Sequence, residues 1–185
     1  MIDEFTREAL AIDIDRSIDA DGVVAVLAGN PNAPNLQKRV AGVKQEALKY
    51  PGITIRDVYY HKETAQDAAA KVEQVMQANP DVTGWAMIGG WPLFTDNALK
   101  WQPGTVQCVS VDALPAQLAY IRSGHVPVLL AQQCYEWGHR TVELLIEKIV
   151  FKKNPPAVKE VSALIPVTKE NVDAFGKNWD KWLPK

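Results

Sequence analysis

Along this chain the apolar residues switch between two spacings. Residues 23–28 (Val-Val-Ala-Val-Leu-Ala) form an unbroken apolar run rich in β-branched side chains, the composition of a strand buried on both faces of a parallel sheet. From Leu36 the apolar positions fall at Leu36, Val40, Val43 and Ala47, which lie on one face of a helix. The unit then repeats. Pro51-Gly52 breaks the helix, and the pattern predicts a strand over 53–59, a helix over 64–78 and a strand over 83–88 ending at Gly89-Gly90. A short helical segment is expected around 94–100. Beyond Pro103-Gly104 come a strand over 105–111, a helix over 114–123 closed by Gly124, and a strand over 126–131. The longest predicted helix, 135–152, carries an apolar stripe through Trp137, Thr141, Leu144, Leu145 and Ile149. Lys153-Asn154-Pro155-Pro156 stops it, and a final strand covers 161–167. Upstream, Ile2, Phe5, Ala9 and Ile12 predict one more amphipathic helix, ending before Asp21-Gly22.

Strands alternating with helices in this way indicate an α/β fold, with a mainly parallel sheet covered by helices on both faces. The 185 residues carry 20 Lys+Arg against 22 Asp+Glu, a net charge of −2, which argues against a nucleic-acid-binding domain with its concentrated basic face. No apolar run approaches the roughly 20 residues of a membrane helix, so no membrane span is expected. The opening Met1-Ile2-Asp3-Glu4-Phe5-Thr6-Arg7-Glu8 is acidic and amphipathic, unlike a secretory signal. It predicts a cytoplasmic protein or one whose start has been removed. Cys108 and Cys134 read as small buried apolar residues, since neither has a Cys or His nearby at metal-ligand spacing. A bridge between them would require their strands to be neighbours.

In open α/β sheets ligands bind beyond the carboxyl ends of the strands. There the chain places Asn30 to Asn35, Tyr60-His61, Gly89-Gly90-Trp91, Asp112 and Gln132-Gln133, with Arg39 one helical turn beyond Asn35. No Ser or Cys nucleophile is paired with a His, no two carboxylates sit at matched strand ends, and His61, His125 and His139 read as satisfied surface or core residues. Gly29-Asn30-Pro31-Asn32 lacks the glycine spacing of a dinucleotide or phosphate loop, so no cofactor is expected. The set is equipped for binding rather than reaction. Arg39, Asp112 and Gln132 offer donors and acceptors for hydroxyls, and Trp91 offers a ring face, which suits a monosaccharide or polyol. Each residue also has a plainer reading: Asp112 as a helix cap, Arg39 as a solvated helix residue, Trp91 as core.

Five blocks carry a resemblance: residues 24–39 (VAVLAGNPNAPNLQKR), Asn79-Pro80-Asp81-Val82, Val109-Ser110-Val111-Asp112-Ala113, residues 131–138 (AQQCYEWG) and residues 167–172 (VTKENV). In this order and spacing the chain resembles the ribose/galactose-type periplasmic sugar-binding proteins of ABC importers, over nearly its whole length. The resemblance implies one lobe of a type I periplasmic-binding-protein-like fold, no catalysis, and an ABC transporter permease as partner. It places the full-length protein in the periplasm or outside the cell. By it, Arg39 grips sugar hydroxyls with Asn35 as the polar residue one turn earlier, Asp112 accepts hydroxyl hydrogen bonds, and Gln132 is the amide near the interlobe hinge. Where many members carry Asn-Asp after the third strand of this lobe, this chain has Gly89-Gly90-Trp91, which implies an amide contact replaced by a ring.

Family members have two lobes joined by three crossings. The resemblance therefore divides the chain into a C-terminal ligand-binding lobe (1–134), a helix that would pack on the N-terminal lobe (135–152), and a final strand with a C-terminal tail (153–185). It implies a truncated or separately expressed lobe, whose helix 135–152 either self-associates or refolds onto its own sheet. The effector core of a sugar-responsive transcription regulator, marked by an upstream helix-turn-helix, shares the fold and stays open. A small sugar-acting α/β enzyme would need titrating groups at the strand ends. The Lys- and Trp-rich ending 178–183 fits an importer receptor better.

Overall fold

The apolar run at 23–28 becomes the strand around which the molecule is built. The computed structural model describes residues 22–158 and 160–183, so the helix expected near Ile2–Ile12 lies outside the described residues. The elements are β1 (Gly22–Ala28), α1 (Pro34–Ala47), β2 (Ile53–Tyr60), α2 (Ala65–Ala78), β3 (Gly84–Met87), a 3-10 turn (Trp91–Phe94), β4 (Gln107–Val111), α3 (Pro115–Arg122), β5 (Val128–Ala131), α4 (Cys134–Ile149), β6 (Ile165–Val167) and α5 (Val172–Trp182). The strands join in the order β2-β1-β3-β4-β5-β6. All neighbours pair parallel except β5 and β6, which run antiparallel.

Alternation along β1 sorts the core into two layers, because successive side chains leave opposite faces. Val24 and Val26 face Leu36, Val40 and Val43 of α1. Ala25 and Leu27 face the layer containing Ala68, Val72 and Val75 of α2, Leu118 and Ile121 of α3, and Val172 and Phe175 of α5. Helix starts are written locally. Pro34 takes the first position of α1, where its missing N–H costs nothing. Thr64 caps α2, its Oγ1 accepting from the Asp67 N–H at 3.2 Å. Thr64→Ala is expected to lower stability by about 1 kcal/mol, readable as a shifted urea midpoint with an unchanged slope.

Three expectations are corrected. The helix around 94–100 is only a 3-10 turn at Trp91–Phe94. The Tyr120 hydroxyl satisfies the following backbone instead, accepting from the Ala98 N–H at 2.9 Å and donating to the Thr95 carbonyl. The C-terminal tail is helix α5, tied down by Trp179 Nε1 donating to the Ala113 carbonyl at 2.9 Å and by Arg122 paired with Asp173 at 3.0 Å. Cys134 is exposed rather than buried, and both cysteines are free. Cys108 lies near the start of β4 beside Trp85, whereas Cys134 lies past the far end of β5, so neighbouring strands do not bring them together.

Helix α4 departs from the rest: none of its residues is buried, and it does not lie on the sheet. Leu145 and Ile149 are 54% and 63% exposed, alongside Val142, Ile146, Val150 and Phe151. Its first turn is anchored to α5 by Tyr135 stacked on Trp182, with ring centroids 5.8 Å apart.

Candidate functional site

Three strand ends and one helix build the site. At the end of β4, Asp112 takes a left-handed backbone conformation (φ 72°), which a non-glycine residue adopts at a cost of roughly 1–2 kcal/mol. Its own N–H donates to the Leu130 carbonyl of β5 at 2.9 Å, pinning the two strand ends together. Gln132, just past β5, donates from Nε2 to Asp112 Oδ1 at 2.5 Å. Its Oε1 accepts from Arg39 Nη2 at 3.2 Å, and Arg39 Nη1 donates to the Ile88 carbonyl at the end of β3, at 3.1 Å. Because a carboxylate only accepts and a guanidinium only donates, the amide of Gln132 can point one way. All three side chains are half-buried. The arrangement aims cationic donors and an anionic acceptor at one place from a rigid scaffold.

Gly90 makes room for it. A Cβ there would lie 3.0 Å from Asp112 Oδ2, 2.8 Å from the Val111 carbonyl and 2.5 Å from Gln117 Nε2. Gln117 is fully buried, donating to the Val111 carbonyl at 3.1 Å and accepting from the Leu114 N–H at 2.8 Å. That bond to Leu114 is the N-cap interaction of α3, so Asp112 is not the cap. Arg39 is likewise not a merely solvated residue. Trp91 follows Gly90, half-buried, with its ring over Gly89. It packs against both core layers, which places it over the end of the sheet rather than within either face.

The structure thus joins Arg39, Asp112 and Gln132, brings Trp91 alongside through Gly90, and leaves Asn35 exposed one turn before Arg39, outside the network. Sequence reasoning missed Gln117, whose place three residues after the Leu114 N-cap is a capping-box signal. It also missed Glu63, after β2, and took His61 at the same strand end for a satisfied histidine. His61 is 7% exposed: Nδ1 accepts from the Glu63 N–H at 2.9 Å, but Nε2 has no hydrogen-bond partner, so this histidine is not satisfied as expected. Its ring meets Trp91 edge-on, centroids 5.0 Å apart. Burial pushes its pKa below the usual 6.5, against the opposing fields of Asp67 and Glu63.

A Ser–His contact does exist, contrary to expectation, with Ser123 Oγ 2.7 Å from His125 Nδ1. It lies between α3 and β5, at the amino ends of the strands and away from Asp112. Beside the site, a cleft of about 950 Å³ opens between α4 and the returning segment 155–162, lined by Gln133, Trp137, Arg140, Leu144 and Glu160 with Lys38 of α1 at its edge. Arg140 grips Glu160 through two bonds of 3.0 and 2.9 Å, which lowers the pKa of that carboxyl and holds the returning chain against α4.

A family model described as periplasmic binding protein domain matches residues 8–153. The chain belongs to this family. No curated protein sequence matches it. Among solved structures, this periplasmic binding protein domain superposes on an ABC transporter solute-binding protein from Burkholderia graminis in complex with D-arabinose, with TM-score 0.80 and 23% identity over 90% of this chain and 59% of that one. A counterpart from Actinobacillus succinogenes with bound D-allose gives 0.82 and 20%, over 94% and 62%. One from Agrobacterium vitis bound with α-D-tagatopyranose gives 0.82 and 22%, over 99% and 62%. At these identities the likeness is one of fold. The chain spans 59–62% of the length of these structures. Among the described residues, no helix is long and apolar enough to cross a membrane.

Proposed function

We propose that this domain recognises a monosaccharide or polyol, without catalysis, as the solute-binding component of an ABC sugar importer or a lobe of it. The observation that carries the reading is the Arg39–Gln132–Asp112 chain of hydrogen bonds at the carboxyl ends of β3, β4 and β5. Such a chain leaves little to reorganise when hydroxyls arrive, and a hydrogen bond to a charged partner is worth about 1.5–3 kcal/mol. Trp91 supplies the apolar face for the C–H side of a sugar. The solved relatives that hold D-arabinose, D-allose and tagatose support the ligand class. On this reading the full-length protein works in the periplasm or at the cell exterior, delivers its ligand to a permease, and packs the exposed face of α4 on a first lobe.

The test is a thermal-unfolding series of the chain with D-arabinose, D-allose and D-tagatose. Ligand that binds only the folded state raises stability by RT ln(1 + [L]/Kd). Half a cleft should bind weakly, so the expected result is a saturable upward shift in the millimolar range for at least one sugar. No shift with any of the three overturns the reading. A companion prediction concerns α4: replacing Leu145 and Ile149 together by Lys should leave unfolding unchanged, because neither is buried. Any concentration-dependent association in sedimentation should disappear. A large loss of stability would mean that this face is covered within the chain.

A further inference from the structure

Behind Trp91, the turn after β2 meets the loop after β1. Glu63 is one of the few non-glycine residues with a left-handed backbone (φ 61°). Its carboxylate folds back over Gly29, where Oε1 accepts from the Asn30 N–H at 3.2 Å. That turn is held from the other side by His61 Nδ1, which accepts from the Glu63 N–H. An accepting Nδ1 carries no proton, so the hydrogen of neutral His61 sits on Nε2, the buried atom with no hydrogen-bond partner and with Trp91 as its ring neighbour. A buried donor left without an oxygen costs about 1–3 kcal/mol, so the position is unfavourable for folding alone. One side chain therefore meets the ring over β3 directly and reaches the loop after β1 through the Glu63 turn that it holds.

We propose that His61 is a positioning residue of the ligand site, which in its neutral Nε2–H form seats Trp91 and fixes the Glu63 turn that orders the Asn30 loop. Its link to ligand rests on the sugar-binding reading above; its link to Trp91 and Asn30 does not. The charged groups facing it are Asp67 at the start of α2 and Glu63 in its own turn, with Lys62 between His61 and Glu63 in sequence. Both carboxylates favour the imidazolium and burial opposes it, with burial the larger effect. A proton added at Nδ1 would face the Glu63 N–H, donor against donor. The turn then opens and the carboxylate leaves Asn30. Below pH 6.5 the unfolded chain takes up this proton before the folded one does, so both stability and the ordered mouth decline as pH falls.

The deciding measurement needs no ligand and no mutation. Long-range ¹H–¹⁵N spectra of the wild-type chain are followed from about pH 8 to about pH 5, across the range in which histidine titrates. They report the His61 tautomer together with the Trp91 indole N–H and the Asn30 amide. The expected result is an Nε2–H tautomer with a midpoint below 6.5, and Trp91 and Asn30 signals that move with it. An Nδ1–H tautomer, or signals at Trp91 and Asn30 that ignore the titration, overturns the proposal. Two substitutions separate the arms. His61→Asn keeps an acceptor for the Glu63 N–H and should spare Asn30 while releasing Trp91, whereas His61→Phe should do the reverse. With the sugar series added, affinity should fall by about fivefold or more through the same midpoint. Should no sugar bind at any pH, the ligand reading fails while the spectra still decide the role of His61.

Discussion

Asp112→Ala should weaken sugar binding at least about tenfold, since it removes a charged acceptor worth about 1.5–3 kcal/mol and leaves the Gln132 amide without its anchor. The loss is larger than that of one contact. Gln132 is oriented by Asp112 on one side and Arg39 on the other, so freeing it also loosens the guanidinium that it holds. A companion substitution separates binding from folding. Asp112→Gly relieves the left-handed backbone, because glycine adopts φ near 72° without a Cβ clash. It should therefore be more stable than Asp112→Ala by roughly 1 kcal/mol while binding no better. That is the pattern expected of strain kept at a functional position. Calorimetric titration and urea melts of the two variants check it. If Asp112→Ala binds as the wild type does, the assignment of this carboxylate is wrong.

Gly90→Ala should damage both the fold and the site. Its added carbon meets the Val111 carbonyl at 2.8 Å and Gln117 Nε2 at 2.5 Å, and neither can retreat cheaply. Val111 is the last residue of a central strand, and Gln117 is fully buried with both ends of its amide bonded. Overpacking of this kind costs roughly 1–3 kcal/mol. The same carbon crowds Asp112 Oδ2 at 3.0 Å, so ligand affinity should fall along with stability. Gly104→Ala provides a contrast: nothing lies within 4 Å of its Cβ, so it should cost only the backbone strain of φ 81° and leave binding untouched. A lower denaturation midpoint together with weakened binding in Gly90→Ala alone is the expected pair of results. Unchanged stability would mean that β3 and β4 part more easily than their pairing indicates.

Much of this architecture was legible in the amino-acid order. The β-branched run at 23–28, the strand pattern over 105–111 and the helical spacing from Leu36 correspond to β1, β4 and α1, and the candidate site lies at the carboxyl ends of strands of this sheet. Helix α5 was readable too: Val172, Phe175, Trp179 and Trp182 recur at helical spacing, but the charged residues between them made the segment look like a tail. The segment 94–100 misleads in the opposite direction, because a distant hydroxyl, that of Tyr120, satisfies its backbone. Pattern also cannot show which strand ends become neighbours. Only the order β1-β3-β4-β5 brings Ile88, Asp112 and Gln132 within reach of one arginine. Gln117 and the unsatisfied burial of His61 stayed hidden for a related reason. Both are polar residues whose burial depends on partners elsewhere in the chain, and periodicity carries no information about them.

A sugar held at the carboxyl ends of β3, β4 and β5 should leave a footprint in the backbone amide shifts of the wild-type chain as D-arabinose, D-allose and D-tagatose are titrated in. Saturable changes clustered at Arg39, Ile88 to Trp91, Asp112 and Gln132 are expected. Changes confined to the Ser123–His125 end, with Asp112 and Gln132 unmoved, would contradict that placement.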